Sequence, residues 1–226
     1  MVVLSIFRII SALVAIIGTM YIVPIIVAVA CKEYSVVMSF LIPMLISWVV
    51  FAAVNIPLFG KKIKLNSRTT FIAVALAWVV ACFFGAIPLY FSGAIPCYTD
   101  AFFESASGFS TTGATILNDI ESLPRSINLF RCMTHWLGGM GIVALTVALL
   151  PLLGVGGFQL IKAETTGPEK GKITPKIATT AKYLWIIYMV FTVVETILLM
   201  CFGMDFIDAL SHAFSTLGTG GFSTKN

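Results

Sequence analysis

The chain has 226 residues, of which 59% are hydrophobic and 11% charged, with a net charge of +4. Soluble domains carry roughly 25% charged residues, so these values argue against a water-soluble globule and for a membrane protein. The small positive excess lies in particular loops, which makes it a matter of topology and excludes nucleic acid as a partner.

Apolar runs of about twenty residues recur and predict membrane-crossing helices at residues 6–31, 34–59, 69–92, 128–153 and 181–203. The first run exceeds a signal-peptide core and is preceded by little charge, so it reads as a retained helix despite the "AVA" at Ala28–Ala30. Pro24, Pro43 and Pro88 fall inside spans, where they are tolerable if neighbours satisfy the carbonyls they free. The five cysteines follow no metal-binding spacing, and most sit in or beside apolar runs as small hydrophobes.

Loop 60–68 carries Lys61, Lys62, Lys64 and Arg68 with no acid. Segment 154–180 carries Lys162, Lys170, Lys172 and Lys176 against Glu164 and Glu169. The positive-inside rule puts both, and the N-terminus, in the cytoplasm. The stretch between the third and fourth spans then faces outward, with Asp100, Glu104, Asp119 and Glu121 against Arg125.

Two polar pieces interrupt this pattern. "CYTDAFFESASGF" predicts a short helix capped at Thr99 or Asp100, and "MDFIDALSHAF" another capped at Asp205 or Asp208. Each runs into a hydroxyl- and glycine-rich strip, too short and too polar to cross. Pairing Phe109–Gly113 with Phe214–Gly218 gives four identities in five positions and implies a repeat of span, short helix and Thr-x-Gly strip. Irregular backbone at membrane depth must be buried in protein or line a watery cavity. A helix ending there aims its negative pole at the centre, and an extended strip offers carbonyl oxygens that can replace a cation's water shell.

The residues "SASGFSTTGATIL", "HWLGGMGIVAL" and "STLGTGGFSTKN" resemble the Trk/Ktr/HKT superfamily of potassium transporters, nearest its bacterial Trk branch. The resemblance implies an all-α integral membrane protein: a leading helix pair (1–59), a cytoplasmic basic loop (60–68), a first span–pore–span repeat (69–153), a cytoplasmic linker (154–180) and a second, incomplete repeat (181–226). It implies potassium uptake across a bacterial cytoplasmic membrane by one part of a four-repeat subunit, so this chain is expected to be a fragment. The filter would use Thr111, Thr112, Gly113 and Ala114 with Thr216, Leu217, Gly218 and Thr219, mainly through backbone carbonyls, and K+ as the only bound ion. Gly113 points to potassium, because plant relatives with serine there tend to pass sodium. A homodimer and a cytosolic nucleotide-binding regulatory subunit of TrkA type, docked on the 154–180 face, are the partners it implies beside the bilayer. Any nucleotide would belong to that subunit, since "GVGG" does not fit a dinucleotide fingerprint.

Other residues carry weaker signals. Asp119 and Glu121 either concentrate cations at the outer mouth or belong to a plain solvated loop. Glu104 has an ion role or pairs with Arg125 or backbone. Arg131 snorkels or pairs, and the glycines of "GGMG" at 138–141 serve helix packing before a hinge. Glu195 faces protein, and His212 gives no further signal. Two readings compete with transport: an intramembrane serine protease using Ser107 and His135, and a non-conducting structural subunit.

Overall fold

A computed structural model describes residues 2–58, 67–149 and 173–226. The described residues form helices α1 (Val2–Met20), α2 (Ile22–Ala30), α3 (Tyr34–Asn55), α4 (Ser67–Phe91), α5 (Tyr98–Phe109), α6 (Arg125–Leu149), α7 (Ile173–Cys201) and α8 (Phe206–Leu217). The basic loop and most of the 154–180 linker lie outside the described residues.

Among the described residues, four segments are long and apolar enough to cross a membrane: Ile6–Ala30, Tyr34–Asn55, Thr70–Phe91 and Lys182–Cys201. The predicted fourth span falls on α6, whose 25 residues cover about 37 Å at 1.5 Å each, and its first turns carry Asn128, Arg131, Thr134 and His135, all buried in protein.

α1 and α2 make one rod, broken at Tyr21 because Pro24 has no N–H to give the Met20 carbonyl. Gly18 lets α1 meet α3, since a Cβ there would fall on the Ser47 side chain. Asn55 and Trp48 of α3 donate to Ser11 and Thr19 of α1 at 2.9 and 3.1 Å. Pro88 similarly frees the Phe84 carbonyl in α4, and the buried Tyr21 hydroxyl donates to it at 2.7 Å. The expectation that a neighbour compensates a span proline is met there by a named side chain. Tyr21, Phe40 and Phe130 close a ring cluster, with centroids 5.4–6.0 Å apart, that joins this hairpin to α6.

Glu33, in the tight α2–α3 turn, caps α6. Its carboxylate accepts the backbone N–H groups of Arg125 and Ser126 at 2.7 and 3.1 Å and the Ser126 hydroxyl at 2.5 Å. These are donors that a helix start leaves unpaired, and the helix dipole favours an anion there. α5 packs between α4 and α6, and α8 between α7 and α6, so both short helices lean on the same long one.

Candidate functional site

α5 and α8 have 12 residues each, about 18 Å of helix, too short for a hydrocarbon core of about 30 Å. α8 is capped by Asp205, whose side chain accepts the Ile207 N–H at 3.2 Å. α5 starts earlier than expected: its N-cap is Cys97, without a side-chain bond, and Thr99 and Asp100 lie in the first turn. Arg125 ties the start of α6 to that of α8 through Asp205 (2.7 Å) and Asp208 (3.6 Å).

Both short helices end in the same way. Thr112 N–H bonds to Ser107 C=O (2.9 Å) and Thr111 N–H to Gly108 C=O (3.0 Å). Gly220 N–H bonds to Ser215 C=O (3.0 Å) and Thr219 N–H to Thr216 C=O (2.9 Å). This is the Schellman closure, whose left-handed position normally belongs to glycine. Here threonine fills it twice, with φ of 56° at Thr111 and at Thr219. A β-branched residue in that region is an outlier.

This geometry sets the register of the repeat. Thr111 matches Thr219 and Gly113 (φ 76°) matches Gly221 (φ 103°), three residues further along than the identities around Phe214 suggest. Thr216 and Leu217 belong to the last turn of α8 and Gly218 is its C-cap, so these residues are not the counterparts of Thr111–Gly113. Gly218 is buried, and a Cβ on it would lie 2.5 Å from the His135 backbone; it is a packing glycine. Gly221 is exposed, with no atom of the described residues within 4 Å of a Cβ placed on it. The signal lay in the sequence: Asp-Ala at 100–101 and 208–209, Ser107 and Ser215, and Thr-x-Gly at 111–113 and 219–221 all share one spacing.

The two strips meet. A Cβ on Gly113 would stand 1.9 Å from the Gly220 carbonyl oxygen. α6 serves as their common floor: a Cβ on Gly138 would stand 2.0 Å from the Phe109 carbonyl oxygen, and one on Gly139 3.0 Å from Gly218 Cα. The glycines of "GGMG" are therefore packing residues, as expected.

Glu104 and Arg131 form a fully buried ion pair at 2.6 Å, so Arg125 is not the partner of Glu104. Glu104 also receives the Thr115 hydroxyl at 2.8 Å and the Ile116 N–H at 3.2 Å. In the second copy, His212 occupies the matching place on α8, and its Nε2 meets the Thr224 hydroxyl at 3.3 Å. Each short helix thus braces its own strip from the same position with different chemistry, a link no pattern in the sequence announced.

Asp119 accepts the Ser122 N–H at 3.2 Å and the Asn226 amide at 3.3 Å, and Glu121 stands 3.8 Å from Lys225. The Asn226 bond, followed by the Ser122 bond, holds the exposed Asp119 carboxyl below the usual aspartate range. His135 Nδ1 pairs with the Ser215 hydroxyl at 3.1 Å, while Ser107 Oγ is buried with no hydrogen-bond partner among the described residues. The serine–histidine pair of the protease reading is not assembled. Glu195 is half-buried on α7, the least enclosed of the apolar helices.

Among the described residues, four helices long and apolar enough to cross a membrane, with two paired short helices beside them, define a multi-pass, all-helical membrane protein. A family model described as "TrkH: Cation transport protein" matches residues 38–226, and the chain belongs to that family. The fold superposes on the crystal structure of the potassium transporter TrkH from Vibrio parahaemolyticus with a TM-score of 0.82 and 36% identity, covering 99% of this chain and 45% of that one. The Trk system potassium uptake protein TrkH of Escherichia coli K12 is 51% identical over 168 residues, 74% of this chain and 35% of its own length. TrkG of the same strain is 37% identical over 209 residues, 90% of this chain and 42% of its own. The chain thus spans less than half the length of the relatives it matches. These relatives are transporters and not enzymes, which settles against the protease reading.

Proposed function

We infer that this chain contributes two of the four filter quarters of a potassium-uptake transporter, as part of a longer four-repeat subunit. The observation that carries this reading is the duplicated strip: Thr111–Ala114 and residues 219–222 leave identical helix closures and lie side by side. Their carbonyls and hydroxyls are the oxygen donors that suit a dehydrated alkali cation. Glycine at 113 and 221 supports the reading because both take a positive φ, where a side chain would be strained. With the basic loop and the 154–180 linker in the cytoplasm, the strips open outward and α5 and α8 point their negative ends at the ion path. Residues 69–153 and 181–226 are then successive repeats behind a leading pair, in a bacterial cytoplasmic membrane. The linker face is the place for a nucleotide-binding regulatory subunit, and the whole transporter works as a homodimer.

The test is potassium-limited growth and rubidium uptake in a bacterium without its own potassium uptake. The 226-residue chain is compared with a four-repeat version, each with and without Gly113→Ser and Gly221→Ser. Only the four-repeat version is expected to transport, and either serine should raise sodium uptake relative to rubidium. Transport that tolerates both serines with unchanged selectivity would overturn the assignment of the strips.

A further inference from the structure

Arg131 touches both strips. Its Nε and a terminal nitrogen reach one Glu104 oxygen at 2.9 and 2.6 Å, and the same terminal nitrogen lies 3.2 Å from the Thr115 hydroxyl. Its other terminal nitrogen bonds to Asn128 at 3.1 Å. The guanidinium lies 4.4 Å from the centroid of the Phe222 ring, in the second strip. One turn on, His135 stacks on that ring at 4.1 Å and holds Ser215, whose hydroxyl takes the Gly221 N–H at 3.0 Å.

A buried ion pair is often no more stabilising than well-packed apolar residues of the same volume, so stability alone gives no reason for it. Position does: guanidinium is planar, with an edge that grips a carboxylate and a face that stacks on a ring. Lysine has neither.

We propose that Arg131 is a positioning residue that locks the two Thr-x-Gly strips to each other, so that a shift of Phe222 moves Thr115 and Ile116. Its consequence for ion selectivity rests on the filter reading above; the mechanical coupling does not.

The coupling is read on the full chain in lipid nanodiscs. An Ile116→Cys substitution, at a position 39% exposed, is labelled with a maleimide, and its rate at that residue is followed by mass spectrometry. Phe222→Met keeps an apolar side chain of similar length but removes the ring face. It should change the labelling rate on the order of tenfold, the scale of a desolvated cation–π contact. In an Arg131→Met/Glu104→Met background, or with Arg131→Lys, the same change should have little added effect. Tryptophan fluorescence melting confirms that each variant is folded, and Phe222→Leu replaces Phe222→Met if the latter is not. An equal effect of the Phe222 change in every background, or none at residue 116, overturns the proposal. Rubidium-to-sodium uptake in the four-repeat version separates the two readings. Coupled labelling with an unchanged uptake ratio supports the lock and refutes the filter, whereas uncoupled labelling with an altered ratio does the reverse.

Discussion

Gly138→Ala is the sharpest probe of how α6 supports the strips. Glycine-to-alanine inside a helix ordinarily gains about 1 kcal/mol. Here the new Cβ would stand 2.0 Å from the Phe109 carbonyl oxygen and 2.8 Å from its carbon, both backbone atoms. Carbon and oxygen settle at roughly 3.3 Å or more, so α6 and the end of α5 must part by about 1 Å. Overpacking of that kind costs about 1–3 kcal/mol, which exceeds the propensity gain. Gly141→Ala is the control one turn away. Among the described residues its Cβ would meet only the Trp78 ring, at 3.2 and 3.6 Å, and a ring can give by a few tenths of an ångström. Melting of the purified chain should therefore fall by several degrees for Gly138→Ala, at about 2–4 °C per kcal/mol, and change little for Gly141→Ala. Equal melting of Gly138→Ala and the native chain would refute the close approach. So would a larger loss at Gly141.

Three further outcomes are expected. Arg131→Met alone should cost about 3–5 kcal/mol because it strands the buried Glu104 carboxylate, while the Glu104→Met/Arg131→Met pair should cost far less than the two single changes together; additive losses would show that the pair does not act as a unit. Thr219→Gly should hold or raise the melting temperature, since a left-handed residue with a Cβ carries about 1 kcal/mol of strain, and Thr219→Val should bring no gain; a marked loss for the glycine variant would contradict the strained closure. Asp119 titrates below the usual aspartate range, so its bonds contribute above the unfolded value of about 3.9 and are lost as pH falls through the lower folded value. Asn226→Ala should move its carboxyl signal, followed by nuclear magnetic resonance, back up toward that value; an unmoved titration would sink the assignment.

The spans and both short helices were legible because long apolar runs and a polar interruption are strong, local signals. Asp205 was legible as a cap for the same reason, whereas α5 begins at Tyr98 behind a cysteine that makes no capping bond. The strip register was misread where identity and geometry disagree. Phe214–Leu217 looks like Phe109–Thr112, but backbone closure, counted from the helix start, decides which residue leaves the helix. The Glu104–Arg131 pair was out of reach because its partners are distant in sequence, and Arg125, the cation considered for Glu104, is bound to Asp205 and Asp208 instead. Glu33 at the head of α6 was hidden in the same way.

The exchange of Glu104 for His212 at matching places carries a consequence for how such a site can change. In an assembly of identical subunits, one substitution alters every side of the ring at once. Here the copies share a polypeptide but not a brace: a carboxylate locked to arginine steadies one, and an imidazole beside a hydroxyl steadies the other. Each side can be retuned by its own mutation while its neighbour stays fixed. On the filter reading proposed above, an ion held between them would experience a lopsided field, and its resting point need not lie on the central axis.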